Sequence, residues 1–125
     1  EVFIIYSTKV IEHFMSPYNA RSMPDADAKG SNGDPSCGDY LDVFIKVKDN
    51  RIEDISYLVF GCSASIATAS MTSVMAKGKT LEEAMEITEE DIIRELDGLP
   101  ENKVHCSNLA VGGLRNAIGN YLKDR

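Results

Sequence analysis

Between residues 41 and 59 apolar and polar positions alternate. Leu41, Val43, Ile45 and Val47 are interleaved with Asp42, Phe44, Lys46 and Lys48, and Ile55, Tyr57 and Val59 resume the pattern after Asp49-Asn50-Arg51. A period of two on both sides of a turn signal predicts a β-hairpin with one apolar face. A one-residue slip would turn that face to solvent, so the register is set: Ile45 opposite Ile55, Val43 opposite Tyr57, Leu41 opposite Val59. The loop is then the three residues Asp49-Asn50-Arg51. Extending the ladder puts Asp39 opposite Gly61 and Cys37 next to Cys62. A two-residue loop would set Cys37 directly opposite Cys62. Either way the two thiols meet at the open end of the hairpin, with Cβ atoms about 4.5 to 8 Å apart.

Helical repeats flank the hairpin. Ser7 can cap a helix with Val10, Ile11, Phe14 and Met15 as its apolar stripe, ended by Pro17. His13 lies off that stripe and reads as a surface histidine. Residues 16 to 36 hold prolines, glycines and polar residues and read as loop; a strand near Met23 to Lys29 would leave no periodic signal. After Cys62, small residues from Ala64 to Ser70, with a stripe of Ile66, Val74 and Met75, predict a helix to Lys77 stopped by Gly78. Thr80 and Thr88 each open a short helix, the first with a capping box. The second carries Ile92, Ile93 and Leu96 inward and ends at Gly98 and Pro100. The acidic run from Glu82 to Asp91 reads as a solvated face. A last helix turns Val111, Leu114, Ile118, Tyr121 and Leu122 to the core, and Gly112-Gly113 inside it predicts close packing or a kink.

Composition narrows the class. The 125 residues are expected to form one domain, 1–125, large enough to bury a core. A net charge of -7 disfavours nucleic acid and anionic membrane as partners. No stretch is long enough to span a bilayer, and the apolar Val2 to Tyr6 lacks the flanks of a signal peptide. Three cysteines without a Cys-x-x-Cys pair do not make a secreted disulfide framework, which points to the cytoplasm.

The cysteines are therefore read as chemistry. Cys62 stands where strand gives way to helix, and Cys106 near the start of the last helix. Both face backbone N–H groups and a partial positive charge that favour thiolate. Cys37 and Asp39 flank Gly38 at the hairpin's open end, and His105 precedes Cys106. Three thiolates with one oxygen or nitrogen ligand suit zinc or an iron–sulfur cluster. The plainer reading is three unrelated buried cysteines; the hairpin register and the two helix starts argue against it. Ligands far apart in sequence, on loops and of mixed type, fit a labile site better than a closed structural one.

Cys37-Gly38-Asp39, Gly61-Cys62-Ser63-Ala64-Ser65-Ile66-Ala67 and Lys103-Val104-His105-Cys106-Ser107 resemble, in order and spacing, the three motifs of the IscU and NifU N-terminal-domain family of iron–sulfur cluster assembly scaffolds. Tyr6-Ser7 with Val10-Ile11-Glu12-His13-Phe14 looks like the family's first helix. Asp25-Ala26-Asp27-Ala28, with Gly30 and Gly33 before Pro35, looks like the NifU-type first loop and strand. The resemblance implies an α+β fold, IscU/SufE-like, with a small, mostly antiparallel three-stranded sheet and helices packed on one side.

It also implies a scaffold, not an enzyme, that assembles a [2Fe-2S] cluster from iron and persulfide sulfur and passes it to apo-proteins. Cys37, Cys62 and Cys106 would ligate the cluster, with Asp39 or His105 fourth, and zinc would be an occasional occupant. Cys106 would first accept sulfur from a cysteine desulfurase. Asp39 is associated with release, Gly38 with the hinge beside it, and Lys103 with charge pairing at the site. Implied partners are the desulfurase and apo iron–sulfur acceptors, with a ferredoxin and a frataxin-like protein as further candidates, and the working form is a monomer or dimer. Leu99-Pro100-Glu101-Asn102-Lys103 stands where the family has Leu-Pro-Pro-Val-Lys, which leaves an Hsp70-type chaperone without its full recognition sequence. A zinc-dependent sulfurtransferase of the SufU type is the alternative. Those chains carry an insertion between the second and third cysteines and lack the histidine found here at position 105.

Overall fold

A computed structural model describes residues 6–34 and 38–123. Cys37 and the apolar residues 2–5 lie outside the described residues. The elements run α1 (Thr8–Met15), β1 (Ala28–Asp34), β2 (Asp39–Lys48), β3 (Arg51–Phe60), α2 (Ser63–Ala76), α3 (Leu81–Met85), α4 (Glu89–Glu95) and α5 (Cys106–Lys123), with a 3₁₀ turn at Glu101–Lys103. The strands form one antiparallel sheet in the order β1-β2-β3. The fold is α+β.

The hairpin register is the one the alternation requires: Ile45↔Ile55, Val43↔Tyr57 and Leu41↔Val59. Its loop differs from the expectation. Lys48 pairs with Arg51, so only Asp49 and Asn50 turn the chain, both with positive φ (54° and 62°). That is the twist a tight hairpin needs. A bulge between Lys46 and Val47 absorbs the extra residue and keeps the inner pairs in step.

The expected loop over residues 16–36 contains β1, a strand without a large apolar residue. Its register comes from packing against α5. An added Cβ on Gly30 would lie 2.1 Å from the Ala117 nitrogen. Asn116 Nδ2 donates to the Ser31 carbonyl at 2.8 Å, and Asn120 Nδ2 to that of Lys29 at 2.7 Å. Asn32 Nδ2 donates at 3.1 Å to the Leu109 carbonyl. Side chains of α5 thus cover the open edge of the sheet, where unpaired strand carbonyls would otherwise face water. Gly112 and Gly113 serve the same close approach, as the sequence suggested. A Cβ there would meet Asn32 Nδ2 at 2.2 Å and Leu41 Cδ2 at 2.9 Å, respectively.

The core lies between the Leu41, Val43, Ile45, Ile55 and Tyr57 face of the sheet and Val111, Leu114 and Ile118 of α5, with α2 beside them. Three helical expectations change. His13 is buried, 8% exposed, with Nδ1 2.7 Å from Ser70 Oγ, while Ile11, Phe14 and Met15 of the expected stripe are exposed. The helix buries its Val10 and His13 side against α2, and that burial lowers the His13 pKa. Helix α2 is buried through Ala, Ser and Thr rather than the Ile66-Val74-Met75 stripe, and Val74 is exposed. The Thr68, Thr72 and Ser73 hydroxyls donate to carbonyls of the helix itself, Thr72 Oγ1 to that of Thr68 at 2.7 Å. Leu122, expected inward, is 53% exposed, past the end of the sheet's cover. Both threonine-capped short helices are present, and each carries a complete capping box.

Candidate thiol and carboxylate site

Cys62 is the N-cap of α2, in extended conformation after β3 (φ -76°, ψ 176°). Cys106 is the first residue of α5. Helices α2 and α5 pack together, and this brings the two sulfur atoms to 3.6 Å as free thiols. Ser65 Oγ is 3.7 Å from Cys62 Sγ, and His105 Nε2 is 3.7 Å from Cys106 Sγ. Cys106 is 4% exposed, whereas Cys62 is partly open.

The two thiols differ electrostatically. Burial opposes ionisation of Cys62, but the Ser65 backbone N–H, the Ser65 hydroxyl, the Cys106 thiol and the Ala64 N–H outweigh it and hold its pKa below the ordinary thiol value. Burial pushes the Cys106 thiol up, and the neighbouring Cys62 adds to this; the Ser65 hydroxyl and the Lys103 charge only partly offset it. The helix-start argument therefore holds for Cys62 and is overridden at Cys106 by loss of solvent.

Two recesses open beside the sulfur pair. One is lined by Asn32, Asp39, Ser65, His105, Cys106, Asn108 and Leu109. The other is lined by Gly38, Phe60, Gly61 and Cys62. Phe60 is 68% exposed at its rim. Asp39 begins β2, next to the Tyr40↔Phe60 pair, so the ladder leads it towards Gly61 as expected. A Cβ on Gly61 would come within 3.1 Å of Asp39 Oδ1 and 2.8 Å of Ser65 Oγ. Only a glycine there lets carboxylate, hydroxyl and thiol converge. Gly38 has φ 80°, the left-handed turn that redirects the chain into β2.

Asp39, Cys62, His105 and Cys106 thus lie at one end of the molecule, and Cys37 is outside the described residues. Lys103 ends the 3₁₀ turn, and its charge acts on Cys106; no ion pair joins it to Asp39 among the described residues. No three His, Cys, Asp or Glu side chains among the described residues form a ready metal cage. Thiol, imidazole and carboxylate border an open recess. Such a set can take soft or borderline metal and sulfur, and solvent can reach it.

Ser65, Gly61 and Asn32 went unremarked as site residues in the sequence. Ser65 had a signal. It stands three residues after the cap Cys62, the spacing at which a helix cap meets its partner.

A family model described as the NifU-like N terminal domain matches residues 5–125. The chain is 54% identical over 119 residues to an iron–sulfur cluster assembly scaffold protein IscU of Archaeoglobus fulgidus, covering 95% of this chain and 78% of that one. It is 41% identical over 124 residues to the protein of the same name from Escherichia coli, covering 96% of each. Among solved structures, a nitrogen-fixing NifU-like N-terminal protein from Brucella abortus superposes with a TM-score of 0.73 at 16% identity, over 94% of each chain. A putative scaffold protein for the SUF system from Fervidobacterium islandicum gives 0.72 at 21% identity, over 90% of this chain and 96% of that one. These last two share the fold.

Proposed function

The chain belongs to the NifU-like N-terminal-domain family and is an iron–sulfur cluster assembly scaffold, and from that premise we propose that it builds a [2Fe-2S] cluster at the Cys62–Cys106 end and gives it away. The observation that carries this reading is the pair of free thiols at 3.6 Å on two different helices, bordering a recess that also holds Asp39 and His105. The cluster is cargo. Cys37, Cys62 and Cys106 are its thiolate ligands, and Asp39 or His105 is the fourth.

Thiolates bind iron strongly, whereas a carboxylate is a harder and weaker partner for such a site. A recess open to solvent lets iron enter and an acceptor's thiolates reach the cluster. Cys106 accepts sulfur as a persulfide. Its sulfur borders the recess, and the His105 ring at 3.7 Å can take its proton. Sulfur comes from a cysteine desulfurase, and apo iron–sulfur proteins receive the product. The protein binds and positions these species and is not itself an enzyme. We place it in the cytoplasm, as one domain over residues 1–125; no helix among the described residues is long and apolar enough to cross a membrane. Zinc can bind the same thiolate, imidazole and carboxylate groups.

Anaerobic reconstitution with iron, cysteine and a desulfurase tests the ligand set. The wild-type chain turns red-brown with sulfide-to-iron charge-transfer bands, and Cys37→Ala, Cys62→Ala and Cys106→Ala each lose most of that absorbance. Full absorbance in all three variants contradicts the assignment.

A further inference from the structure

We propose that Ser65 is a positioning residue for the cargo: its hydroxyl donates a hydrogen bond to the Cys62 sulfur while that sulfur ligates iron, which loosens this one iron–thiolate bond and eases reduction of the cluster. The inference rests on the reading of Cys62 as a cluster ligand.

The other hydroxyls of α2 set Ser65 apart. Thr68, Thr72 and Ser73 return their protons to carbonyls of the helix. Ser70 Oγ meets His13 Nδ1 at 2.7 Å and accepts from the Tyr18 N–H at 3.0 Å. Ser65 is 2% exposed, and its Oγ faces sulfur, 3.7 Å from Cys62 Sγ. A buried hydroxyl without an acceptor is costly, and the sulfur supplies one. The same hydroxyl acts on both Cys62 and Cys106 in the direction of ionisation.

Two features hold the oxygen in place. Cys62 caps α2 and Ser65 stands in its first turn, so the contact is made within one helical turn. Gly61 leaves the space: a Cβ there would lie 2.8 Å from Ser65 Oγ. Ser65 also lines the recess of Asp39, His105 and Cys106, beside the path by which iron enters.

The polarity of the bond follows from the ligand. Between hydroxyl and free thiol either atom can donate. A thiolate that holds iron has no proton, so the hydroxyl is the donor. Donation draws electron density from sulfur, which makes Cys62 a weaker ligand. It also stabilises the added negative charge of the reduced cluster, since hydrogen bonds to the sulfurs help to set the potential.

The test compares the full wild-type chain with Ser65→Ala, each reconstituted without oxygen from iron, cysteine and a desulfurase. Resonance Raman spectra in H2O and D2O read the iron–thiolate stretches, and voltammetry reads the potential. In Ser65→Ala an iron–thiolate stretch is expected at higher frequency, with part of its D2O shift lost. The cluster is about tenfold harder to reduce, a fall of about 59 mV for one electron. A variant that only loosened the packing would keep the D2O shift. Wild-type stretches, D2O shift and potential in Ser65→Ala overturn the proposal and leave the ligand set standing. A Ser65→Ala chain that loads no cluster also overturns it, because the hydroxyl then serves assembly and not the bound cluster. If Cys62→Ala loads as fully as the wild type, the ligand reading fails and takes the proposal with it.

Discussion

Cys62 and Cys106 are in contact and yet are different reagents. Backbone N–H groups from Ser65 and Ala64 favour the Cys62 thiolate against its burial, while Cys106 is held back chiefly by burial. This asymmetry was only half legible in the sequence. Position at a helix start was readable for both, but the solvent each would lose depends on how α2 and α5 pack. His13 went astray for the same reason. A helical wheel places it off the apolar stripe, and only the docking of α1 on α2 reveals that its partner is Ser70. Asp39 was placed correctly because strand register is nearly arithmetic. On the proposed reading it is a hard ligand bearing a negative charge beside a thiolate-bound cluster, which favours departure of the cargo. Asp39→Ala removes both the exchangeable oxygen and the repulsion. Its cluster is expected to move to an apo-ferredoxin roughly tenfold more slowly than that of the wild type, a change of about 1.4 kcal/mol in barrier. Circular dichroism of the acceptor follows the rate, and an unchanged rate removes Asp39 from that role.

The hairpin and most helices were legible because apolar periodicity and capping residues act over a few neighbours. Strand β1 was not. Its sequence, Ala-Lys-Gly-Ser-Asn-Gly-Asp, offers no apolar alternation. It is held by β2 on one side and on the other by the Asn116 and Asn120 side chains of α5, far away in sequence. The strand's small residues are what admit the helix so closely. That close contact helps fix α5, and Cys106 at its start, against the strand that leads to Asp39. Gly30→Ala places a methyl group 2.1 to 2.6 Å from the backbone of Asn116 and Ala117, atoms that cannot rotate away. A loss of about 1–3 kcal/mol is expected from this overpacking. The shift of the urea unfolding midpoint at constant slope measures it. An unchanged midpoint would mean that the strand and helix are not locked together there.

At the scale of the molecule, the sheet, α2 and α5 bring the motif segments to one end, and among the described residues their side chains do not close into a cage. The three motifs were recognisable in the sequence because each sits at a boundary between elements. The recess between Asp39 and His105 was not, since it exists only where β1, β2, α2 and α5 meet. A permanent metal site would gain from full enclosure; an open border of thiols with a carboxylate suits a cluster in transit. Its departure is the most direct test. The reconstituted chain is mixed with an apo-ferredoxin in the presence of an iron chelator, and the acceptor's circular dichroism is followed with time. The account predicts that the [2Fe-2S] signal passes to the ferredoxin intact, faster than it forms from free iron and sulfide, and that the chelator does not intercept it. A cluster that stays on the chain, or one that the chelator captures before the ferredoxin gains it, would contradict the account.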